Sequence, residues 1–235
     1  MESRRVRVDA APGAFEFDPA STAALVIDMQ NDFGATGGMF DRAGIDISAI
    51  RRTLAPTARV LGAARRAGCP VVYLKMGYAA DLSDLGAPGS PNRERHLAFS
   101  VGQDVAAPGG RNSRILIRDT WNTAVLDELQ PRAGDLEIYK TRYSGFYETT
   151  LDSMLKQRGV KSLIVTGCTT SVCVDATVKD AMFRDYSCLV LSDCCAEPLG
   201  SDFARTNHQA SLLVTEALLG WVSDSAKLIS ALAVT

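Results

Sequence analysis

The 235-residue sequence lacks an excess of charge of either sign. Lys and Arg together number 25 and Asp and Glu 27, so the formal net charge at pH 7 is −2. A nucleic-acid binder needs a basic face, and the early basic cluster of Arg4, Arg5 and Arg7 is soon followed by Asp9. The composition therefore predicts no nucleic-acid partner.

Long apolar runs are also missing. No run reaches the roughly 18 residues that span a bilayer. The first residues, Met1 to Pro12, contain no apolar segment of the kind found in secretory signals. We therefore expect a cytoplasmic protein without a membrane partner, in which the six cysteines are free thiols.

The spacing of the metal-binding residue types does not match a known metal site. Cys168 and Cys173 have four residues between them and Cys194 and Cys195 are adjacent, so neither pair forms a Cys-x-x-Cys knuckle. The two histidines lie outside both pairs. No Gly-x-Gly-x-x-Gly motif follows a predicted strand, and no Walker-type loop is present. We expect neither a metal ion nor another cofactor.

What the sequence does contain is a series of short apolar runs that alternate with helical patterns. This alternation predicts an α/β fold, a three-layer sandwich whose parallel sheet is covered by helices on both faces. We expect one domain over residues 1–235, with six strands in the order 3-2-1-4-5-6. The predicted strands are Ala23–Ile27, Pro70–Leu74, Leu136–Lys140, Leu163–Val165, Ser187–Leu191 and Trp221–Val222.

Two segments stand apart from this alternation. For residues 1–20 the sequence predicts an extended, loop-rich arm. Residues 77–118 are long and irregular, and a loop of that length in a compact domain usually has a function, such as a lid or a partner surface. We expect the 77–118 segment to lie near the functional site. We also expect a short helix at Asn122–Leu129 and a longer one at Phe203–Leu219.

The segment around Cys173 has the pattern of a buried strand followed by a helix. Gly167 ends the strand, and Thr169 is the first of three residues of N-cap type. Cys173 is therefore expected in the first helical turn, where unpaired N–H groups and the helix dipole favour a thiolate and can hold an oxyanion. The alternative is that Cys173 is a small buried hydrophobic residue.

Asp28 and Lys140 each follow an apolar run directly. Because carboxyl ends of parallel strands meet at one rim of the sheet, both belong on the same side as Cys173. How near Lys140 lies depends on the position of the 70–74 strand, which the sequence leaves open. A carboxylate, a cation and a thiol together suit nucleophilic catalysis. Alternatively, Asp28 caps a helix or pairs with an arginine, and Lys140 is solvated.

Three motifs give the chain a resemblance to the isochorismatase-like cysteine hydrolases. They are VIDMQNDF (26–33), KTRYSGF (140–146) and TGCTTSVCV (166–174). The resemblance implies Asp28 as general base, Lys140 as its electrostatic partner and Cys173 as nucleophile. It also implies a non-proline cis peptide before Thr169, an oxyanion hole formed by the N–H groups of Thr169 and Cys173, and a homodimer or homotetramer.

Within this family the chain resembles the ureidoacrylate amidohydrolases, through PGSPN (88–92) and GWVSD (220–224) among other segments. The resemblance implies hydrolysis of a linear amide or ureido C–N bond in a small molecule. One departure is Met76-Gly77-Tyr78, where the branch leads us to expect Asn-Gly-Trp, and buried polar groups of this kind set specificity. Triuret, biuret and N-carbamoyl amino acids are therefore alternative substrates.

Other branches and classes fit less well. Nicotinamidase-like members carry an Asp-x-His…His metal site, which the segment after Leu74 lacks, and isochorismatases proper lack the cysteine. A non-catalytic α/β binding module remains a different class of function. The side chains that we expect to contact the substrate are Phe33, Tyr78, Trp121, Asn122 and Tyr143, with Arg142 as a further polar candidate and Phe146 as a further aromatic one. Core packing or surface exposure is the alternative for each.

Overall fold

The computed structural model describes residues 5–233. In chain order its strands are β1 (Val6–Val8), β2 (Phe15–Phe17), β3 (Thr22–Ile27), β4 (Val71–Met76), β5 (Asp104–Ala106), β6 (Asn112–Arg114), β7 (Leu136–Lys140), β8 (Ser162–Cys168), β9 (Ser187–Ala196) and β10 (Trp221–Ser223). The α-helices are α1 (Asn31–Gly34), α2 (Met39–Arg42), α3 (Ser48–Arg66), α4 (Pro91–Ala98), α5 (Leu151–Gln157), α6 (Asp175–Met182), α7 (Asn207–Val214) and α8 (Ser225–Ala233).

Six of these strands form one parallel sheet in the order β10-β9-β8-β3-β4-β7. Counted along the chain, this is the predicted order 3-2-1-4-5-6, which is confirmed. The three central strands β3, β4 and β8 are buried along their whole length. Apolar residues without alternation are what a sheet covered on both faces requires.

The two faces of the sheet carry two separate apolar clusters. Val26 packs with side chains of α3 and α8 on one face. Its neighbour Leu25 packs with side chains of α5 and α6 on the other. Because successive side chains of a strand point to opposite faces, each central strand contributes to both clusters. The result is the predicted three-layer sandwich.

The N-terminal segment differs from the extended, loop-rich arm that we predicted. Residues 1–4 lie outside the described residues, but β1 and β2 form an antiparallel ribbon. Val6, Val8, Phe15 and Phe17 are buried in the ribbon and belong to the larger apolar cluster. The alternation of apolar and charged residues in both strands explains this, since it places one face of the ribbon on the core.

Residues 77–118 are more regular than expected, because they contain α4 and the hairpin of β5 and β6. The prediction of a helix at 122–129 is wrong. This stretch forms two 3₁₀ turns, Trp121–Thr123 and Asp127–Leu129, with an extended link between them. The link is extended because Val125 pairs with Gln30 in an isolated β-bridge. A tertiary contact overrides the local helical preference here.

The predicted helix at 203–219 begins later than expected. Its start is at Asn207, where Thr206 and Gln209 form a capping box. It continues after Val214 as a π-helical turn over Thr215–Leu219. Among the helices of residues 5–233, none is long and apolar enough to cross a membrane.

The central strands end together at one rim, and this places the site. Ile27 of β3 pairs with Leu74 of β4 on one side and with Gly167 of β8 on the other. Met76, two residues further along β4, pairs with Lys140 at the end of β7. The residues that follow these strands therefore share one edge of the sheet.

Gly167 is the position where this arrangement tolerates no side chain. Its φ is +127°, and a Cβ added there would lie 2.1 Å from the carbonyl oxygen of Ile27. Gly159 also has a positive φ, +65°, but an added Cβ would meet no atom within 4 Å. Substitutions at the two glycines therefore distinguish the effect of a backbone collision from the effect of a positive φ alone.

We predict that Gly167→Ala lowers the free energy of unfolding by about 3 kcal/mol or more, since β8 must move away from β3. Gly159→Ala, as the control, should cost only about 1–2 kcal/mol. Urea denaturation of both variants measures the difference. Equal effects of the two substitutions would contradict the close packing of β3 on β8.

Candidate active site

Asp28 and Lys140 form an ion pair at this rim. The Nζ atom of Lys140 lies 2.8 Å from Oδ2 of Asp28, and the two side chains are 0% and 1% exposed. The other carboxylate oxygen, Oδ1, accepts a hydrogen bond from the N–H of Met76 at 2.9 Å. Lys140 also donates to the carbonyl oxygen of Arg142 at 3.2 Å. Both charges are thus paired and hydrogen-bonded, as burial requires.

Cys173 lies against this ion pair. It belongs to a π-helical turn, Thr170–Val174, which connects β8 to α6. Its thiol is close enough to Asp28 and Lys140 for both side chains to act on its pKa. The structure therefore brings together the residue that follows β3, the last residue of β7 and the thiol in the turn after β8.

The electrostatics of the thiol differ from our expectation of a field that favours the thiolate. Burial and the neighbouring carboxylate of Asp28 raise the pKa of Cys173 well above its usual value, and the cation of Lys140 offsets this only in part. Burial acts to lower the pKa of Lys140, but the charges of Asp28 and Cys173 raise it above its ordinary value. Desolvation thus acts against the helix-terminal field and favours the protonated thiol in the resting site.

A second buried carboxylate fixes the turn that carries Cys173. Glu197 is 5% exposed, and its Oε2 accepts a hydrogen bond from the N–H of Ser171 at 3.0 Å. Its Oε1 accepts from the N–H of Leu199, also at 3.0 Å. His208 contacts the same turn through Nδ1, 2.9 Å from the hydroxyl of Thr170. Glu197 thus ties the turn to the loop after β9.

Sequence reasoning missed Glu197 because we predicted that its strand ends at Leu191. The strand continues to Ala196, so Glu197 follows a strand directly, as Asp28 does. The same signal, an acid immediately after a buried strand, would have found it.

The peptide bond between Cys168 and Thr169 is cis, which agrees with the geometry that the resemblance implies. Thr169 and Cys173 both line a cavity that opens beside Asp28. The cavity has a volume of about 120 Å³. Its lining consists of Asp28, Phe33, Met39, Phe40, Ile45, Met76, Arg95, His96, Phe99, Leu116, Tyr143, Cys168, Thr169, Val172, Cys173 and Leu199.

Two of the five expected substrate contacts, Phe33 and Tyr143, line this cavity. Tyr78 is not among the lining residues; it is fully buried, and its hydroxyl donates to the carbonyl oxygen of Thr141 at 3.3 Å. Burial raises the pKa of Tyr78 to about 12. Tyr78 therefore supports the wall behind the cavity.

Asn122 and Trp121 also lie outside the cavity lining. The amide of Asn122 is fully buried and donates to Oδ1 of Asp32. The carbonyl oxygen of Trp121 accepts a hydrogen bond from the side chain of Asn31 at 2.8 Å. Both residues anchor the chain after β6 to the segment after β3, because the buried carboxylate of Asp32 needs donors.

The two further candidates have structural contacts. Phe146 is buried and stacks on Tyr186 with ring centroids 5.8 Å apart. Arg142 donates to the carbonyl oxygen of Asp84 at 3.2 Å. Within residues 5–233, no group of three or more His, Cys, Asp or Glu side chains is arranged to hold a metal ion.

Comparison with known proteins places this fold and site in a family. The model of the isochorismatase domain matches residues 22–227. The chain is 39% identical to the ureidoacrylate amidohydrolase RutB of Methylobacterium radiotolerans over 229 residues, 97% of this chain and 86% of the relative. It is 38% identical to the enzyme of the same name from Rhizobium rhizogenes over 221 residues, 94% and 87% of the two chains. The chain belongs to the isochorismatase family.

Solved structures agree with this assignment. A cysteine hydrolase from Pseudomonas syringae pv. phaseolicola is similar with a TM-score of 0.79 and 29% identity, over 100% of this chain and 99% of that one. An N-carbamoylsarcosine amidase from Thermoplasma acidophilum is similar with a TM-score of 0.62 and 27% identity, over 87% and 96%.

The electrostatics of the thiol give a direct prediction. Asp28→Asn removes the negative charge that raises the pKa of Cys173 and leaves Lys140 in place, so the thiol pKa should fall. Alkylation of Cys173 by iodoacetamide at pH 8.5 should then be about tenfold faster or more. Lys140→Met should slow it. Mass spectrometry of the peptide that carries Cys173 measures both rates.

The control is Asp152→Asn, which removes a carboxylate from a surface ion pair with Lys156. It should leave the alkylation rate of Cys173 unchanged. A slower rate in Asp28→Asn than in the unmodified protein would contradict the assigned electrostatics.

Proposed function

We propose that the protein is a cysteine amidohydrolase that cleaves a linear amide or ureido C–N bond in a small molecule. The observation that carries the proposal is the buried ion pair of Asp28 and Lys140 near the thiol of Cys173, at a small cavity that Asp28 and Cys173 line. The membership in the isochorismatase family supports it.

In the first step Asp28 takes the proton of the Cys173 thiol, and the thiolate attacks the substrate carbonyl carbon. The negative charge that develops on the carbonyl oxygen is held by the N–H groups of Thr169 and Cys173 and by the cation of Lys140. The C–N bond then breaks, and ammonia or an amine leaves with the proton from Asp28. A thioester on Cys173 remains.

In the second step a water molecule gives a proton to Asp28 and attacks the thioester carbonyl. The same N–H groups hold the oxyanion again. When the tetrahedral intermediate collapses, the C–S bond breaks and the thiol recovers its proton from Asp28. Asp28 thus acts as base, acid, base and acid in turn, and it ends the cycle ionised beside Lys140.

A non-catalytic binding module explains the site less well. Burying an ion pair costs several kcal/mol per ion in desolvation, and apolar residues of similar volume often serve stability equally well. Asp28 and Lys140 occupy such positions, yet they adjoin a thiol and a cavity. This arrangement favours a chemical role over a structural one.

The substrate is proposed from the names of the relatives. Ureidoacrylate amidohydrolase and N-carbamoylsarcosine amidase favour a ureido or N-carbamoyl compound for this chain. Ureidoacrylate is the first candidate, and triuret, biuret and N-carbamoyl amino acids are the alternatives.

We also propose that the chain forms a homodimer or homotetramer. Several large apolar side chains on and near α7 are exposed, and a surface of this kind is typical of protein interfaces. They are Phe203, Leu213, Val214 and Leu218. Sedimentation equilibrium tests this directly, and a monomer at all concentrations would contradict it.

The proposed function is tested by release of ammonia at neutral pH without added metal. The panel is ureidoacrylate, triuret, biuret, N-carbamoylsarcosine and nicotinamide. We expect turnover of a ureido or N-carbamoyl compound and complete loss of it after alkylation with iodoacetamide. Turnover that survives full alkylation of Cys173 would exclude the cysteine mechanism.

Two substitutions test roles within the catalytic trio, which consists of Asp28, Lys140 and Cys173. Cys173→Ala should abolish turnover, because no nucleophile remains. Asp28→Asn should lower kcat by about 10²- to 10⁴-fold, the usual contribution of general acid–base catalysis. Circular dichroism checks that both variants fold. An active Cys173→Ala variant would refute the scheme.

A further inference from the structure

Arg95 is an unpaired cation at the cavity. It is exposed and lines the cavity from α4. The other fully charged groups of the site, Asp28 and Lys140, neutralise each other. Among residues 5–233 Arg95 has no carboxylate or carbonyl partner, and the cavity lining contains no second free charge. Its charge acts on the phenol of Tyr143, which lines the same cavity.

His96, the next residue of α4, presents a hydrogen-bond acceptor to the cavity. Its Nδ1 atom lies 2.6 Å from the carbonyl oxygen of Asn92, so Nδ1 carries the proton. Burial lowers the pKa of His96, and the neutral ring therefore has its lone pair on Nε2. The ring is 7% exposed and is held between Tyr78 and Tyr143, at centroid distances of 5.3 and 5.9 Å.

The Nε2 atom has no hydrogen-bond partner among residues 5–233. In that part of the chain, the hydroxyl oxygen of Thr57 is the only side-chain N or O atom that is both fully buried and without a partner. The Nε2 atom is therefore partly accessible, and His96 is one of the residues that line the cavity. The ring is also close enough to the catalytic trio for the charges of Lys140 and Asp28 to act on it.

Much of the remaining lining of the cavity is apolar. Phe33, Phe40, Met76, Leu116 and Val172 all line it. Besides Asp28, Arg95 and His96, the side chains of the lining that carry oxygen or nitrogen are those of Thr169 and Tyr143, so few polar groups can fix the orientation of a ligand.

We propose that Arg95 and His96 are specificity residues of this cavity for an N-carbamoyl or ureido acid. In this assignment Arg95 binds its carboxylate and Nε2 of His96 accepts a hydrogen bond from an N–H next to the carbonyl group that is attacked. A short apolar segment of the substrate connects its carboxylate to this N–H group. The inference rests on the proposed function and adds a substrate charge and two specificity residues to it.

Binding to the Cys173→Ala variant tests the carboxylate contact without turnover. The probes are ureidoacrylate and its methyl ester, measured by isothermal titration calorimetry. The acid should bind about 10- to 100-fold more tightly than the ester, because a charge-assisted hydrogen bond is lost in the ester. Adding Arg95→Gln should remove this preference.

The matched control is Arg93→Gln on the same helix. Arg93 donates to the carbonyl oxygen of Gly86 and does not line the cavity, so this variant should keep the preference for the acid. Equal binding of acid and ester, or a preference that survives Arg95→Gln, would overturn the inference. If the Cys173→Ala variant prefers the acid but the protein with Cys173 hydrolyses neither probe, the inference is supported and the proposed function is overturned.

The His96 contact is tested with an analogue of ureidoacrylate that is N-methylated on the internal nitrogen. His96→Phe keeps the aromatic contacts and removes the acceptor, so it should lower kcat/KM for ureidoacrylate about tenfold and reduce discrimination against the analogue. His96→Gln should restore part of both, since its amide oxygen accepts. An equal loss for both substrates in His96→Phe would indicate a packing role and overturn this contact.

Discussion

The buried ion pair of Asp28 and Lys140 is the interaction on which the rest of the site depends. The two residues come from β3 and β7, which are separated in the sheet by β4. Two desolvated charges are stable only if geometry and additional hydrogen bonds are good. The N–H of Met76, at the end of β4, supplies one of these bonds to Asp28. The register of three parallel strands is therefore a requirement of the site as well as of the core.

The same pair explains how a thiol with a raised pKa can serve as a nucleophile. Transfer of a proton from Cys173 to Asp28 moves the negative charge from the carboxylate to the sulfur and leaves the net charge of the trio unchanged. Lys140 contacts both positions, so the charge has a partner before and after the transfer. Burial then penalises an isolated thiolate but not the exchange itself. The protonated resting state and the proposed reactivity are thus compatible.

The fold and the trio could be predicted because both follow from strands with continuous apolar sequence. Asp28 and Cys173 are found by their position relative to such strands. The structural role of Asn122 could not be predicted, since its partner Asp32 is 90 residues away and the contact exists only in the folded chain. Glu197 was missed because the length of β9 depends on pairing with β8. Arg95 and His96 were missed because nothing local shows which face of α4 borders the cavity.

The central claim is a covalent intermediate on Cys173, and rapid acid quench during turnover tests it most directly. The protein is mixed with the substrate that it hydrolyses fastest, quenched within milliseconds, digested and analysed by mass spectrometry. The account predicts an acyl or carbamoyl adduct on the peptide that carries Cys173, present during turnover and absent after the substrate is consumed. Turnover without any adduct on that peptide, under conditions in which a synthetic thioester standard survives the quench, would contradict it.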